Sequence, residues 1–81
     1  MYVLIRERDH LIIKHNHFKN IHFEEGGNRI TDYPPEVNAS IFMYDSITCS
    51  WQTTLVKSVK KIDENNYEIK TENSNYTLER F

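Results

Sequence analysis

The chain has 81 residues, with ten Lys and Arg against twelve Asp and Glu, so its formal net charge is -2. A single domain of this length buries only about 60% of the surface that its unfolded chain exposes, which argues against a large internal active-site cavity. The acidic balance supplies no overall positive field for phosphate backbones, so nucleic acid is disfavoured as a partner without being excluded.

Cysteine usage and the shortness of the apolar runs both bear on localisation. Cys49 is the only cysteine, so it cannot form an intramolecular disulfide, whereas secreted domains of this size usually contain several. The apolar run at residues 2–5 is too short for a signal peptide or a membrane span. We therefore expect a cytoplasmic protein that does not contact membranes.

The first predicted element is an N-terminal β-hairpin. Residues 2–5 and 11–13 are short apolar runs rich in β-branched side chains, and the charged segment 6–10 connects them. A third strand is predicted over residues 18–23. Its apolar and polar residues alternate imperfectly, so we expect a bulge or a bend there.

The strongest turn signal follows this third strand. Gly26 and Gly27 are the only two glycines in the chain, and glycine adopts a positive φ at little cost. Residues 29–33 follow as a short strand. That strand must end before Pro34 and Pro35, because proline cannot donate to a ladder.

Residues 37–44 alternate between two faces, as in a strand that is buried on one side. One face carries four apolar side chains, namely Val37, Ala39, Ile41 and Met43. The other face is mixed and consists of Asn38, Ser40, Phe42 and Tyr44. The first face is predicted to lie in the core.

The segment 48–62 is predicted to be mostly extended, although its apolar residues Val56, Val59 and Ile62 recur every three positions. A bulge near Ser58 would reconcile this spacing with a strand. The competing interpretation is a short amphipathic helix over residues 55–62. The many β-branched side chains favour the strand.

The C-terminal part predicts a three-stranded antiparallel meander. Residues 67–71 and 76–79 alternate with period two, and the Asn-rich segments 63–66 and 72–75 read as turns. The whole chain is then a single all-β domain over residues 1–81, with little or no helix. We expect a small antiparallel barrel, with N-terminal strands in residues 1–33 and a barrel-like meander in residues 35–81.

From Pro35 onward the order of features resembles SH3-like barrels of the Tudor or KOW type. The resemblance lies in a Pro-x-Val start, a Trp after a polar loop, a strand with two valines and a Tyr-x-Ile pair, which are Pro35, Val37, Trp51, Val56, Val59, Tyr67 and Ile69. It implies a small closed barrel. Asn38-Ala39 replaces the usual glycine, and no aromatic cage is identifiable, so the resemblance does not imply binding of methylated side chains.

A second resemblance concerns residues 46–56 and 67–78. Their pattern is similar to that of small uncharacterised proteins of phages and mobile elements in low-GC bacteria, and it consists of Ser46-x-Thr48-x-Ser50-Trp51-x-Thr53-Thr54-x-Val56 and Tyr67-x-Ile69-x-Thr71-x-Asn73-Ser74-x-Tyr76-x-Leu78. This similarity implies a genomic neighbourhood of accessory and anti-defence proteins, such as anti-CRISPR inhibitors.

The candidate binding residues come from the same two segments and are Ser46, Thr48, Ser50, Trp51, Thr53, Asn73 and Tyr76. A run of hydroxyl groups beside a lone Trp is typical of a polar strand face that binds a ligand or a partner. The alternative is a solvated β-face, since Thr is simply a good strand residue. Trp51 itself is either the core plug of the barrel or an exposed anchor.

The histidines offer a speculative metal site. His15 and His17 would point to one face of an extended segment, with His10 or His22 as a third ligand for zinc. The alternative is a set of surface histidines at a hairpin, and no cofactor is predicted. Cys49 lacks an identifiable base and oxyanion site, so no enzyme is predicted.

These observations together favour a small non-enzymatic protein that binds another protein. Its surface is rich in Tyr, Asn, Ser and Thr, which give adaptable contacts at recognition surfaces. The alternatives are a small barrel that binds a nucleotide-type ligand or nucleic acid, and the histidine metal site. A dimer formed by edge pairing of the N-terminal strands is a further expectation.

Overall fold

The computed structural model describes residues 1–46 and 48–81, and every regular element in them is a β-strand. The eight strands are β1 (Tyr2–Arg6), β2 (Ile12–His15), β3 (His17–Glu24), β4 (Gly27–Thr31), β5 (Ser40–Ser46), β6 (Cys49–Asp63), β7 (Asn66–Thr71) and β8 (Asn75–Arg80). Within the described residues no helix is long and apolar enough to cross a membrane. The prediction of an all-β chain is confirmed.

All strand pairs are antiparallel, and they form one sheet in the order β2-β1-β8-β7-β6-β5-β3-β4. The N-terminal hairpin and the β6-β7-β8 meander are present as predicted. The outermost strands β2 and β4 do not pair with each other in the part of the chain that the structure describes, so the sheet is not closed into a barrel.

The long strand β6 joins the two halves of the sheet. Its first part pairs with β5 and its second part with β7, and the β6–β7 register shifts between Val56 and Ser58. A bulge bends and twists its strand, which lets one strand belong to two differently oriented halves. The bulge predicted near Ser58 is confirmed, and the alternative helix over residues 55–62 is wrong.

One core is built by side chains from seven of the eight strands, which requires the sheet to curl around it. The buried cluster consists of Leu4, Ile13, Phe18, Ile41, Met43, Val56, Tyr67, Ile69, Tyr76 and Leu78. Strand β4 contributes none of these residues, and four of its five residues are exposed. The β3–β4 hairpin therefore projects from the core.

Tyr33 covers one end of this core from the connection between β4 and β5. Its ring centroid lies 5.5 Å from that of Tyr2, 5.4 Å from that of Phe18 and 5.7 Å from that of Tyr67. The guanidinium of Arg80 lies 4.3 Å from the same ring, a cation–π contact. Burial is the largest cause that raises the pKa of Tyr33 to about 12.

Two local expectations are corrected by the structure. Strand β3 pairs in unbroken register with both neighbours, so the predicted bulge or bend at residues 18–23 is wrong. Its alternation looked imperfect because the buried face holds a polar residue, Asn20, beside Phe18. Val37 is 43% exposed and precedes β5, because Asn38 adopts a φ of 67° and interrupts the extended chain. The other inward residues, Ala39, Ile41 and Met43, are fully buried.

Candidate functional site

The outer side of the β3–β4 hairpin exposes large apolar side chains. Ile21 lies directly opposite Ile30, and Phe23 follows two residues later on the same side of β3. Phe23 is 55% exposed and Ile30 is 60% exposed. We call Ile21, Phe23 and Ile30 the hairpin face. A face of this kind is a candidate contact surface, since contiguous exposed apolar patches often mark binding sites.

The hairpin face adjoins a free strand edge. β4 is the last strand of the sheet, so among the described residues one of its edges has no strand partner. Such an edge carries unpaired backbone N–H and C=O groups. Val37 extends the apolar surface beyond Phe23, and these two residues line the same shallow cleft. A partner can thus reach both apolar side chains and backbone donors and acceptors at one place.

A buried amide holds the hairpin in position. Asn20 is completely buried, and its Nδ2 donates to the carbonyl oxygens of Asp32 and Pro34, both at 2.9 Å. Its Oδ1 accepts the backbone N–H of Glu36 at 3.1 Å. These three bonds tie β3 to the connection that follows β4. The hairpin is therefore braced from its inner side, which pre-organises its outer side.

A carboxylate network adds to this brace. Glu36 Oε1 accepts the Thr31 hydroxyl at 2.6 Å and lies 2.6 Å from His22 Nε2. Hydrogen bonds to Thr31 and His22 lower the pKa of Glu36, and the bond to Thr31 has the larger effect. Lys19 forms an ion pair with Asp32 on the neighbouring segment. The connection 32–36 is thereby fixed by contacts with both β3 and β4.

Three stacked rings continue the outer surface along β3 and β5. The ring centroids of His17 and Tyr44 are 4.9 Å apart, those of Phe42 and Tyr44 are 5.2 Å apart, and each pair is inclined by 25°. We call His17, Tyr44 and Phe42 the ring ladder. Ser50, which pairs with Tyr44, lies beside it. Such rings can stack on planar ligands.

The predicted binding residues are distributed over several parts of the structure. Ser46 ends β5 and Thr48 directly precedes β6, with their hydroxyl oxygens 3.4 Å apart. Ser50 is exposed on the outer face of β6, and Asn73 lines an open cleft at the β7–β8 turn. Ser50 and Thr53 lie on opposite faces of β6, because successive side chains of a strand point to opposite faces.

The remaining predicted residues point inward. Thr53 and Tyr76 are each 6% exposed, and Tyr76 belongs to the core cluster. Trp51 is half-buried and packs against that cluster opposite Met43. The Arg6 guanidinium lies 5.7 Å from the Trp51 ring centroid. The structure thus does not bring the seven predicted binding residues together at one place.

The four histidines also separate. His15 Nδ1 lies 3.0 Å from Asp45 Oδ2, whereas His17 stacks on Tyr44. His22 contacts Glu36, and His10 is exposed in the β1–β2 turn with a φ of 57°. Hydrogen bonds to the backbone N–H of Asn16 and to the ring of His15 lower the pKa of Asp45, and the bond to Asn16 has the larger effect. No cluster of three possible ligands in the described residues contains both His15 and His17.

The hairpin face was missed by the sequence analysis. Ile21, Phe23 and Ile30 were assigned to short strands, and an apolar residue in a strand is ordinarily expected to be buried. One signal was available: the segment 18–23 did not alternate cleanly, so it could not bury all of its apolar residues on one face.

The fold and this surface define an all-β protein with one curled antiparallel sheet and an exposed apolar hairpin at its edge. No protein-family model, no curated protein and no solved structure matches the chain. Function is therefore inferred from the residues and their placement.

Proposed function

We propose that this chain is a small non-enzymatic protein that binds another protein through the hairpin face and the free edge of β4. The single observation that carries this proposal is the exposure of Phe23 and Ile30, at 55% and 60%, beside an unpaired strand edge. Burial of such side chains against a partner contributes about 25 cal/mol for each Å² removed from water. Added-strand pairing would supply directional backbone hydrogen bonds as well.

The partner segment is an extended strand with apolar and basic side chains. Its apolar residues would cover Ile30 and Phe23 on the outer side of the sheet. The segment 19–36 carries two cationic side chains, Lys19 and Arg29, against four acidic ones, Glu24, Glu25, Asp32 and Glu36. This surplus of negative charge favours Lys or Arg in the partner. It also disfavours a second copy of the chain at the same place, because two acidic hairpins repel each other.

The experiment compares matched surface variants. The double variant Phe23→Ser and Ile30→Ser removes the two most exposed side chains of the hairpin face. Ile62→Ser removes an apolar side chain of similar exposure, 54%, at the far end of β6. A photo-crosslinking residue at position 30 identifies the partner, with the same residue at position 62 as the control. We expect the double variant to weaken binding of the captured partner about 30-fold or more, which corresponds to about 2 kcal/mol.

Two outcomes would count against this surface. Equal binding by the wild type and the double variant would remove the hairpin face as the contact site. A stable dimer in light scattering that the double variant abolishes would mean that a second copy covers the face. A dimer that persists in the double variant would instead support edge pairing at β2, the other end of the sheet, where Ile12 is 55% exposed.

A nucleobase ligand is the second candidate, and the ring ladder is the observation that favours it. Bases stack on exposed aromatic rings irrespective of sequence. The nearby cation Lys19 is paired with Asp32, which leaves it less available to a phosphate. If the protein-binding proposal is right, single-stranded oligonucleotides do not bind at physiological salt. If they bind and Tyr44→Ala abolishes the interaction, the ring ladder is the functional surface.

We also infer that the curled sheet is an opened small barrel of SH3-like type. Its support is that β2 and β3 are separated only by Asn16, while the bent β6 belongs to both halves of the sheet. A cytoplasmic phage or mobile-element accessory role, such as inhibition of host defence, is supported by the sequence resemblance alone.

A further inference from the structure

A cluster of possible metal ligands lies where β2, β5 and β6 meet. His15 Nδ1 is 3.0 Å from Asp45 Oδ2, and Cys49 Sγ is 3.9 Å from the same oxygen. The three ligand atoms all lie within 4.8 Å of one another. Each residue comes from a different strand, since His15 ends β2 and Asp45 and Cys49 lie on either side of the β5–β6 turn.

We propose that His15, Asp45 and Cys49 form a binding site for a zinc-type divalent metal ion, with one coordination position left open. Imidazole nitrogen, carboxylate oxygen and thiolate sulfur are the ligand types that zinc takes in proteins, and three protein ligands leave a fourth tetrahedral position for water or a partner. This site is separate from the hairpin face and does not depend on the proposed partner binding.

The distances suit a tetrahedral centre. Zinc lies about 2.0–2.3 Å from nitrogen, oxygen and sulfur ligands, so neighbouring ligand atoms in a tetrahedron are about 3.5 Å apart. The two contacts at Asp45 Oδ2, at 3.0 and 3.9 Å, bracket this value. The third pair, His15 Nδ1 and Cys49 Sγ, lies within 4.8 Å. Movements of up to about 1 Å at these side chains would therefore bring the three atoms around one ion.

A backbone group orients the carboxylate. Asp45 Oδ1 accepts the N–H of Asn16 at 2.7 Å, which leaves Oδ2 directed at the histidine and the thiol. Asn16 directly follows His15, so one stretch of backbone supplies the first ligand and fixes the second. Hydrogen bonds of this kind orient the ligands of known metal sites, and their loss typically weakens metal binding about 10–100-fold.

The cluster also differs from a nucleophile–base pair. In such a pair the base contacts the nucleophile and a third group orients the base. Here the imidazole and the thiol both approach the same carboxylate oxygen. The three ligand atoms lie within 4.8 Å of one another, and such proximity is what a metal ion needs, because each ligand atom must reach the same centre.

The test uses the full chain without a histidine tag, freed of metal by a chelator. Titration with Zn²⁺ is expected to show one equivalent bound and a rise in melting temperature, because a metal that binds the folded state stabilises it. Titration with Co²⁺ is expected to give the d–d bands of a tetrahedral site and a near-ultraviolet thiolate-to-cobalt band. That band reports Cys49 directly, since it is the only cysteine.

Variants separate this site from other histidines. Cys49→Ser and Asp45→Asn are expected to weaken zinc binding at least about tenfold, and Cys49→Ser should abolish the thiolate band. His17→Gln and His22→Gln are the matched controls and should bind as the wild type does. Cys49 is exposed, so its variant is expected to fold, and metal-free melting curves check this.

Three results would overturn the proposal. They are zinc binding far below one equivalent, unchanged zinc affinity and cobalt spectrum in Cys49→Ser, and loss of binding in His17→Gln with retention in Asp45→Asn. If Asp45→Asn fails to fold without metal, the Cys49→Ser titration and the cobalt spectrum decide alone. None of these measurements depends on whether the hairpin face binds a partner.

Discussion

The side chain of Thr53 accepts the backbone N–H of Ile41 at 3.0 Å. The same hydroxyl donates to the carbonyl oxygen of Thr54 at 2.7 Å. This pair lies where the β5–β6 register shifts between the Ser40–Leu55 and Phe42–Gln52 positions. A register shift disrupts the local ladder, so a buried backbone donor is satisfied here by a side chain from the neighbouring strand.

Thr53→Val should therefore destabilise the protein although it conserves the volume of the side chain. The variant leaves the Ile41 N–H without its acceptor in a buried place, which costs about 1–3 kcal/mol. Urea unfolding measures the change. Thr77→Val, at an exposed position of β8, is the control and should change the free energy of unfolding by less than about 0.5 kcal/mol. Equal stability of the two variants would contradict the assigned role of Thr53.

Asn20→Asp should cost more, because Asn20 is completely buried and makes three hydrogen bonds, two of which use its NH₂ group. An aspartate places acceptors against the carbonyl oxygens of Asp32 and Pro34. We expect a loss of about 3 kcal/mol or more in the free energy of unfolding. Asn28→Asp makes the same chemical change at an exposed position of β4.

The same Asn20 variant tests whether the brace supports the hairpin. Hydrogen exchange should accelerate in β3 and β4 of Asn20→Asp before it accelerates in the β6–β7–β8 meander. Uniform acceleration over the whole sheet would show that Asn20 stabilises the core rather than the hairpin.

The lowered pKa of Glu36 predicts that the free energy of unfolding decreases in acid. Its pKa in the folded state is lowered, so the unfolded state binds more protons near the unfolded pKa of about 4.3. The stabilisation is present above that value and is lost as the pH falls through the folded pKa. Glu36→Gln should show a shallower loss of stability between about pH 5 and pH 3 than the wild type. Glu25→Gln, in the β3–β4 turn, should follow the wild-type curve.

Much of the fold could be predicted because its signals are local. The β6-β7-β8 meander follows from period-two alternation and from Asn-rich turns, which act over a few residues. The bulge near Ser58 followed from the spacing of Val56 and Val59. Sheet closure could not be predicted in this way, because it depends on whether the two edge strands, β2 and β4, meet in space, and no local pattern in either strand specifies that.

The candidate sites were less predictable for a related reason. Asn20 looks like a surface residue in the sequence, and it is buried only because the connection 32–36 folds back over it. His15 and Asp45 are thirty residues apart in sequence, and no spacing rule joins them. The hydroxyl groups of β6 were grouped by composition, but strand alternation divides Ser50 from Thr53.

The indole Nε1 of Trp51 is buried and has no hydrogen-bond partner among the described residues. An unsatisfied buried donor costs about 1–3 kcal/mol. Trp51→Phe removes this donor together with some apolar area, so the two effects offset each other, and we expect the free energy of unfolding to change by less than about 1 kcal/mol.

Trp51→Ala instead removes most of the side chain that packs opposite Met43 and under Arg6. Large-to-small substitutions in a core cost about 3–5 kcal/mol for Trp, and the half-buried position places this one near the lower value. Urea unfolding of both variants gives the comparison, and native indole emission blue-shifted from that of indole in water gives an independent check in the wild type. If Trp51→Ala unfolds at the wild-type urea concentration, the indole contributes nothing to the core, and Trp51 would have to be regarded as a surface residue.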